Sequence, residues 1–288
     1  RAISSQLNLS EKQVLAVLQL ADGGATVPFI SRYRKEATGG LDEVRVADII
    51  KLNKELQEFE KRREAILKSV EEQGLLTEEL KTKFNSAATL QELEDLYLPY
   101  KQKRKTLATK ARDQGLEPLA KIIMKQNERD PEGAANRFVK GEVESIEAAL
   151  TGARHIIAEW MNENAALRST LRKLFLREAV ITSKLIKGKD EEGEKFKDYF
   201  KFDERIGRMP SHRLLAVLRG ENEGILRVGV APDFENALGL LHRFFVKGDN
   251  ESSAQVELAC SDAYKRLLQP SLESEMRKQF KQKADEKA

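Results

Sequence analysis

Six cationic side chains lie within residues 101–112, and this segment contains no acidic residue. Ammonium and guanidinium groups neutralise phosphates and release counterions, and aromatic rings such as those of Tyr97 and Tyr100, just before the run, stack on unpaired bases. The run therefore predicts a contact with nucleic acid, and the alternative is a solvated basic loop or helix face. Its members are Lys101, Lys103, Arg104, Lys105, Lys110 and Arg112.

A second basic set follows about 60 residues later. Arg168, Arg172, Lys173 and Arg177 have spacings of four, one and four, which places them along one side of a helix. This side is a second candidate nucleic-acid contact, particularly at Arg168, Arg172 and Lys173. The alternative is again a solvated helix face.

Residue types that carry catalysis or bind metals are sparse and isolated. The three histidines, His155, His212 and His242, have no Cys, Asp, Glu or His partner at the spacing that zinc sites use. Cys260 lies at helical spacing among apolar residues, which favours core packing over a nucleophile. Gly188 and Gly193 bracket four residues as in a phosphate loop, but Glu194 stands where that motif requires lysine. The sequence therefore predicts no metal, no cofactor and no enzymatic activity.

The composition is that of a folded, mainly α-helical chain. Of 288 residues, 40% are hydrophobic and 34% charged, while 17 Gly and 7 Pro make a low total of turn-forming residues. The net charge of +3 is too small to attract nucleic acid globally, so any attraction must come from local patches. One cysteine excludes an intrachain disulfide, and the absence of a long apolar run predicts no membrane contact.

The first 73 residues predict a helix-turn-helix-like start followed by one long helix. Ser10 and Gln13 form a capping box before a helix over 11–22, and Pro28 opens a short helix that ends at a Gly-Gly turn. From about Asp42 to Gln73, apolar residues alternate at spacings of three and four, which predicts a helix of about 30 residues. This helix packs within its own domain or, alternatively, forms a coiled-coil dimer.

Further helices and little strand are predicted downstream. Thr77 and Thr89 cap two helices, and two longer ones cover 145–162 and 167–179. Strand signal is confined to 180–186 and 225–230, which predicts at most a small hairpin or sheet. The predicted organisation is a multi-helical array with regions 1–73, 74–200 and 201–288.

Several long strings occur in an order that resembles the amino-terminal part of the bacterial Tex family of transcription accessory proteins. They are TVPFISRYRKEATGGLDE at 26–43, LEDLYLPYKQKRKT at 93–106, KGKDEEGEKFKDYF at 187–200, PSHRLLAVLRGENEG at 210–224 and RLLQPSLESE at 266–275. Two departures are Ser31, where the family tends to have alanine, and Gln102, where it tends to have proline.

The resemblance implies a larger bacterial, cytoplasmic protein in which this region leads into a resolvase-like domain, helix-hairpin-helix modules and an OB-fold RNA-binding domain. The chain begins at Arg1 rather than Met, and we expect it to be a fragment. No catalytic motif is implied for this region.

The expected function is therefore a non-enzymatic frame with an auxiliary contact to nucleic acid that is weak and independent of base sequence. The partners would be nucleic acid, the remaining domains of the full-length protein and the transcription or ribosome machinery. The alternative is a protein-interaction scaffold that docks onto that machinery without contacting nucleic acid, and an unrecognised enzyme is a third hypothesis.

Overall fold

A computed structural model describes residues 1–287 and divides the chain into two compact units, Arg1–Tyr100 and Lys101–Ala288. The mainly α-helical class is confirmed, with sixteen α-helices and one small sheet in the described residues. The three-part division at residues 73 and 200 stays a prediction. None of these helices is both long and apolar enough to span a membrane.

The first unit contains seven α-helices. Their bounds are α1 Ala2–Leu7, α2 Glu11–Asp22, α3 Val27–Tyr33, α4 Lys35–Thr38, α5 Glu43–Glu72, α6 Glu78–Ser86 and α7 Leu90–Tyr97, followed by a 3₁₀ turn at Leu98–Tyr100. The predicted capping box of α2 is confirmed, because the Gln13 N–H donates to the Ser10 hydroxyl at 3.2 Å and the Gln13 side chain accepts from the Ser10 N–H. Thr77 and Thr89 cap α6 and α7 as predicted.

The long helix is confirmed at 30 residues, with Asp42 as its N-cap. Its first half packs Val46 and Ile49 into one apolar cluster, and its second half packs Ile66 and Val70 into another. Both clusters lie within the first unit, so the helix buries its apolar stripe in its own unit. Between them Arg63 lies over the Phe59 ring, 4.6 Å from the ring centroid.

In residues 101–287 the second unit contains nine α-helices and all the described strands. The helices are α8 Leu107–Asp113, α9 Glu117–Lys125, α10 Pro131–Asn136, α11 Ile146–Asn162, α12 Ala165–Glu178, α13 Ser211–Asn222, α14 Phe234–Phe245, α15 Glu251–Asp262 and α16 Gln269–Asp285. A π-helical segment, Ala263–Leu268, joins α15 to α16. The predicted helices over 145–162 and 167–179 correspond to α11 and α12.

Helix α11 lies in the middle of this unit and packs against α8, α9, α10 and α15. Gly152 is required at its contact with the start of α9, because a Cβ there would lie only 2.3 Å from the Leu116 side chain. Ala149, Ala153 and Ile156 on the same helix are fully buried. This close packing fixes the position of the polar side chains at the carboxyl end of α11.

The sheet has three antiparallel strands in the order β2-β1-β3, namely β1 Val180–Leu185, β2 Lys201–Arg205 and β3 Leu226–Ala231. The two predicted strand regions are confirmed as β1 and β3, but the prediction that strand is confined to them is wrong. Strand β2 has the sequence KFDER, in which Phe202 alone is hydrophobic. Its charges suit an exposed sheet edge and leave too little apolar alternation to predict a strand.

Candidate nucleic-acid interface

The basic segment Lys101–Lys105 has no helix or strand and leads directly into α8. Thr106 caps that helix, since its hydroxyl accepts a hydrogen bond from the Thr109 N–H at 3.1 Å and the Thr109 hydroxyl accepts one from the Thr106 N–H at 3.2 Å. A reciprocal cap of this kind sets the point at which the chain turns into the helix. The position of the basic segment is therefore set at its carboxyl end.

The segment is also held by ion pairs to the end of α11. The Lys103 ammonium lies 2.8 Å from a carboxylate oxygen of Glu159 and also pairs with Glu163. Arg112, on α8, donates to the same Glu159 oxygen at 2.7 Å. Glu159 is only 7% exposed, so the two cations compensate a buried carboxylate.

The pKa values in this cluster shift because of burial and of these contacts. Burial opposes the charge on Glu159, but hydrogen bonds from Lys103 and Arg112 outweigh it and lower the pKa of this carboxyl. Burial also opposes the charge on Lys103, and its contacts with Glu159 and Glu163 raise its pKa. For Glu163, burial dominates and raises the pKa. Glu159 is therefore the carboxylate whose charge the fold stabilises.

The other four cations of the run are exposed and have no ion-pair partner anywhere in residues 1–287. They are Lys101, Arg104, Lys105 and Lys110. The basic run thus divides into two residues that anchor it, Lys103 and Arg112, and four that are free to meet an anionic ligand. The sequence alone does not distinguish the two anchoring residues from the other four, because Glu159 lies 47 residues or more away in sequence.

The second basic set divides in a similar way. Arg168 is buried and donates hydrogen bonds to Asn162 at 3.1 Å and to the Ser271 hydroxyl at 2.8 Å. Arg172 forms a two-pronged ion pair with Glu275 on α16. These two arginines connect α12 to neighbouring elements, which corrects their placement on an open helix face.

Lys173 is the exposed member of that predicted trio. It lines a groove of about 530 Å³ between α12 and α14, together with the cationic Arg177 and Arg243. Glu178 and Glu235 also line the groove, so its charge is mixed.

The two tyrosines that precede the basic run are packed rather than open for stacking. Tyr97 and Tyr100 are partly buried against the apolar cluster of the first unit around Ile66 and Val70. The Tyr97 hydroxyl lies 3.2 Å from the Ser69 hydroxyl, and the Arg62 guanidinium lies over the Tyr97 ring. The predicted stacking surface is therefore not formed by these rings.

The isolated groups with potential chemistry have structural surroundings. Cys260 is fully buried, and burial raises the pKa of its thiol to about 12. Burial also lowers the pKa of His155. Within residues 1–287 no group of three or more His, Cys, Asp or Glu side chains is arranged to hold a metal ion. Gly193 of the loop that resembles a phosphate loop is explained by packing, because a Cβ there would lie 2.5 Å from Ile225.

A further cationic surface lies on the exposed face of the sheet, where Lys184, Lys201 and Arg227 are neighbours. The sequence places Lys184 close to Lys187 and Lys189, but it does not show that Lys201 and Arg227 are its neighbours. Lys201 becomes its neighbour through the pairing of β1 with β2, and Arg227 through the pairing of β1 with β3.

The family models and the similar proteins point to the same family. Residues 126–288 match the family model described as Tex central region-like, and residues 1–71 match the Tex-like protein N-terminal domain. The transcriptional accessory protein Tex of Neisseria gonorrhoeae is 46% identical over 230 residues, which are 80% of this chain and 30% of the relative. Protein YhgF of Escherichia coli is 45% identical over 235 residues, 81% of this chain and 30% of the relative.

A eukaryotic relative extends the comparison. The human S1 RNA-binding domain-containing protein 1 is 26% identical over 314 aligned residues, which span 100% of this chain and 30% of that protein. The chain therefore spans about 30% of the length of each of these three relatives.

Proposed function

The chain belongs to the Tex family, and on that premise we propose that it is a non-enzymatic helical module of a transcription accessory protein, serving as a frame with an auxiliary contact to nucleic acid. One relative is named a transcriptional accessory protein and another is named for an S1 RNA-binding domain, which supports a role beside nucleic acid. The module would work in the bacterial cytoplasm together with the remaining domains of the full-length protein.

The observation that carries the nucleic-acid contact is the group of free cations on an anchored segment. Lys101, Arg104 and Lys105 are exposed without ion pairs in the described chain, while Lys103 between them is held by Glu159 and Glu163. Holding the segment in place reduces the conformational entropy that would be lost when it meets a polyanion. Lys110, in the last turn of α8, and Lys173 on α12 complete the proposed set of contacts.

The contact is proposed to be weak and independent of base sequence. Lysine and arginine side chains on an irregular segment neutralise phosphates, whereas reading bases requires side chains directed at the base edges in a groove. The non-enzymatic part of the proposal is supported by Cys260, whose buried thiol, with a pKa of about 12, is unsuited to act as a nucleophile.

Replacing Arg104 and Lys105 together by alanine is expected to weaken binding to duplex DNA and to reduce its dependence on salt. If both contact phosphates, the slope of log affinity against log salt should become shallower by about 1.8, at about 0.9 per phosphate. The measurement is fluorescence anisotropy of a labelled duplex titrated with the full 288-residue chain at several salt concentrations.

The matched control is the double alanine variant of Lys121 and Lys125, two exposed lysines on α9 without ion pairs in the described residues. It removes the same charge and should leave the slope within about 0.5 of the parent value. If both double variants change the slope equally, the segment makes no specific contact. The alternative function, a scaffold for protein partners of the transcription or ribosome machinery, would then be favoured.

A further inference from the structure

Three cations form a continuous row across the exposed face of the sheet. Lys184 on the central strand β1 is paired in register with Lys201 on β2 and with Arg227 on β3. Neighbouring strands lie about 4.8 Å apart, so the row is about 10 Å long. All three residues are exposed, while the alternate residues Ile181 and Ser183 of β1 are buried on the other face.

The charge of this row is not compensated within residues 1–287. None of the three side chains takes part in an ion pair, and the next row on the same face consists of Asp203, Thr182 and Gly229. Asp203 is the sole acidic residue that the described strands place on this face, and Arg205 offsets it. Like charges directly opposite each other destabilise a sheet, so the arrangement favours an anionic ligand that spans the strands.

The shape of the face indicates which anion fits. Thr182 and Gly229 beside the row have short side chains or none, so an extended polyanion can approach closely. The described strands place no aromatic ring on this face, since Phe202 lies on the opposite side of β2 and contacts Tyr199 at 5.3 Å between ring centroids. Proteins that bind single strands on a sheet rely on aromatic rings that stack with bases, and this face offers cations alone.

We propose that the row Lys201–Lys184–Arg227 binds the phosphate backbone of a nucleic-acid duplex without regard to its base sequence. Consecutive phosphates of one strand of B-form DNA lie about 7 Å apart through space, although they rise by only about 3.4 Å along the axis, so a row of about 10 Å meets about two phosphates. This surface is separate from the segment 101–110, and different residues test it. Either contact can therefore fail without the other.

The decisive variant is Lys184→Glu, which inserts a carboxylate between two cations. Opposite charges at directly paired sheet positions are stabilising, so the melting temperature is expected to rise by about 1–3 °C. Because the row then carries a net charge of +1 instead of three positive charges, the salt slope for duplex binding should become shallower by about 1.8, at about 0.9 per phosphate. A gain in thermal stability together with a loss of binding excludes unfolding as the cause of that loss.

The control is Lys121→Glu, which makes the same charge change at an exposed lysine of α9 in the same unit, one without an ion pair to any residue from 1 to 287. It should leave the slope within about 1 of the parent value, allowing for the long-range effect of two charge units. The probes are a 20-base-pair duplex DNA and the matching single strand, each labelled and titrated by anisotropy with the full chain. A single strand should respond less to Lys184→Glu, because the described strands place no aromatic ring on this face to stack with its bases and a single strand releases fewer counterions per phosphate, about 0.7 against about 0.9.

Lys201→Ala combined with Arg227→Ala provides a second variant that introduces no new charge. It should make the slope shallower by about 1.8, at about 0.9 per phosphate. The proposal is overturned if Lys184→Glu and this double variant both bind the duplex with the parental slope. It is equally overturned if Lys184→Glu has no larger effect than Lys121→Glu, or if the single strand loses as much affinity as the duplex.

Discussion

Replacing Glu159 by alanine is expected to lower the free energy of unfolding of the Lys101–Ala288 unit by about 2–3 kcal/mol. The substitution removes the common partner of Lys103 and Arg112 from the end of α11. Breaking a fully buried ion pair costs about 3–5 kcal/mol. The loss expected for Glu159→Ala is smaller, about 2–3 kcal/mol, because both cations can still reach water. Their side chains are 31% and 28% exposed.

Trp160 offers a direct measurement of this loss. It is the one tryptophan of the sequence, it lies next to Glu159 on α11, and it packs partly buried against the core of this unit. Its fluorescence during urea unfolding therefore reports on the unit in which the change is made. An unfolding midpoint equal to that of the parent protein would contradict the central role given to Glu159.

Glu163→Gln is the matched control, because it changes a neighbouring carboxyl of the same cluster. Burial raises the pKa of Glu163, so its charged form is less stable in the folded protein than in the unfolded chain. At pH 7 the neutral glutamine should leave the free energy of unfolding unchanged or raise it by up to about 1 kcal/mol. The changes in the free energy of unfolding caused by Glu159→Ala and Glu163→Gln should therefore differ clearly, in sign or in size.

The pH dependence separates the same two residues. The folded-state pKa of Glu159 is lowered, so its stabilising contribution is complete above its unfolded pKa of about 4.3 and is lost as pH falls through the folded value. Glu159→Ala should therefore flatten the fall of stability below about pH 5. The raised pKa of Glu163 acts in the opposite direction, because its penalty disappears as the pH falls and the folded protein takes up the proton first.

The helical framework could be read from the sequence because its signals are local. The capping box at Ser10, the cap at Asp42 and the apolar stripe of α5 each involve residues within a few turns of one another. Such signals depend on residues close together in sequence, so they predict the helix without knowledge of the tertiary packing. The predicted 30-residue helix accordingly begins and ends within a residue or two of its expected bounds.

The strands show where local patterning stops being informative. Strands β1 and β3 carry alternating or continuous apolar residues and were predicted, whereas β2 is formed because a charged stretch pairs with the edge of β1. The row formed by Lys184 with Lys201 and Arg227 depends on that pairing. Its geometry is therefore a property of the sheet register, and the charge pattern of the chain does not reveal it.

The candidate interface was predicted as a charged region, but the role of each residue within it was not. Charge counting treats Lys103 and Arg104 as equivalent, yet the first is paired with Glu159 and Glu163 and the second is free in the described chain. The difference arises from carboxylates more than 50 residues away in sequence. Long-range ion pairs of this kind require the packing of α8 against α11 to be known.

Replacing Arg168 by alanine is expected to cost about 2–4 kcal/mol of unfolding free energy while leaving the salt slope of nucleic-acid binding unchanged. Arg168 is 6% exposed and donates hydrogen bonds to Asn162 and Ser271. Its removal takes the donors from the partly buried Asn162 and from the exposed Ser271, and it opens a cavity between α12 and α16. Urea unfolding followed through Trp160, with anisotropy on the folded protein, measures both quantities.

Arg168→Lys and Lys173→Ala complete this test. Lysine keeps the charge but cannot reproduce the fork of donors, so Arg168→Lys should also lose about 1–3 kcal/mol of stability. Lys173 is exposed on the same helix without an ion pair in the described residues, and its alanine variant should change stability by less than about 0.5 kcal/mol. If Lys173 meets a phosphate, its loss should make the slope shallower by about 0.9. The contrary outcome is an Arg168→Ala variant with parental stability and a shallower salt slope. Arg168 would then belong to the nucleic-acid interface, and the separation between anchoring and contacting cations would be wrong for this helix.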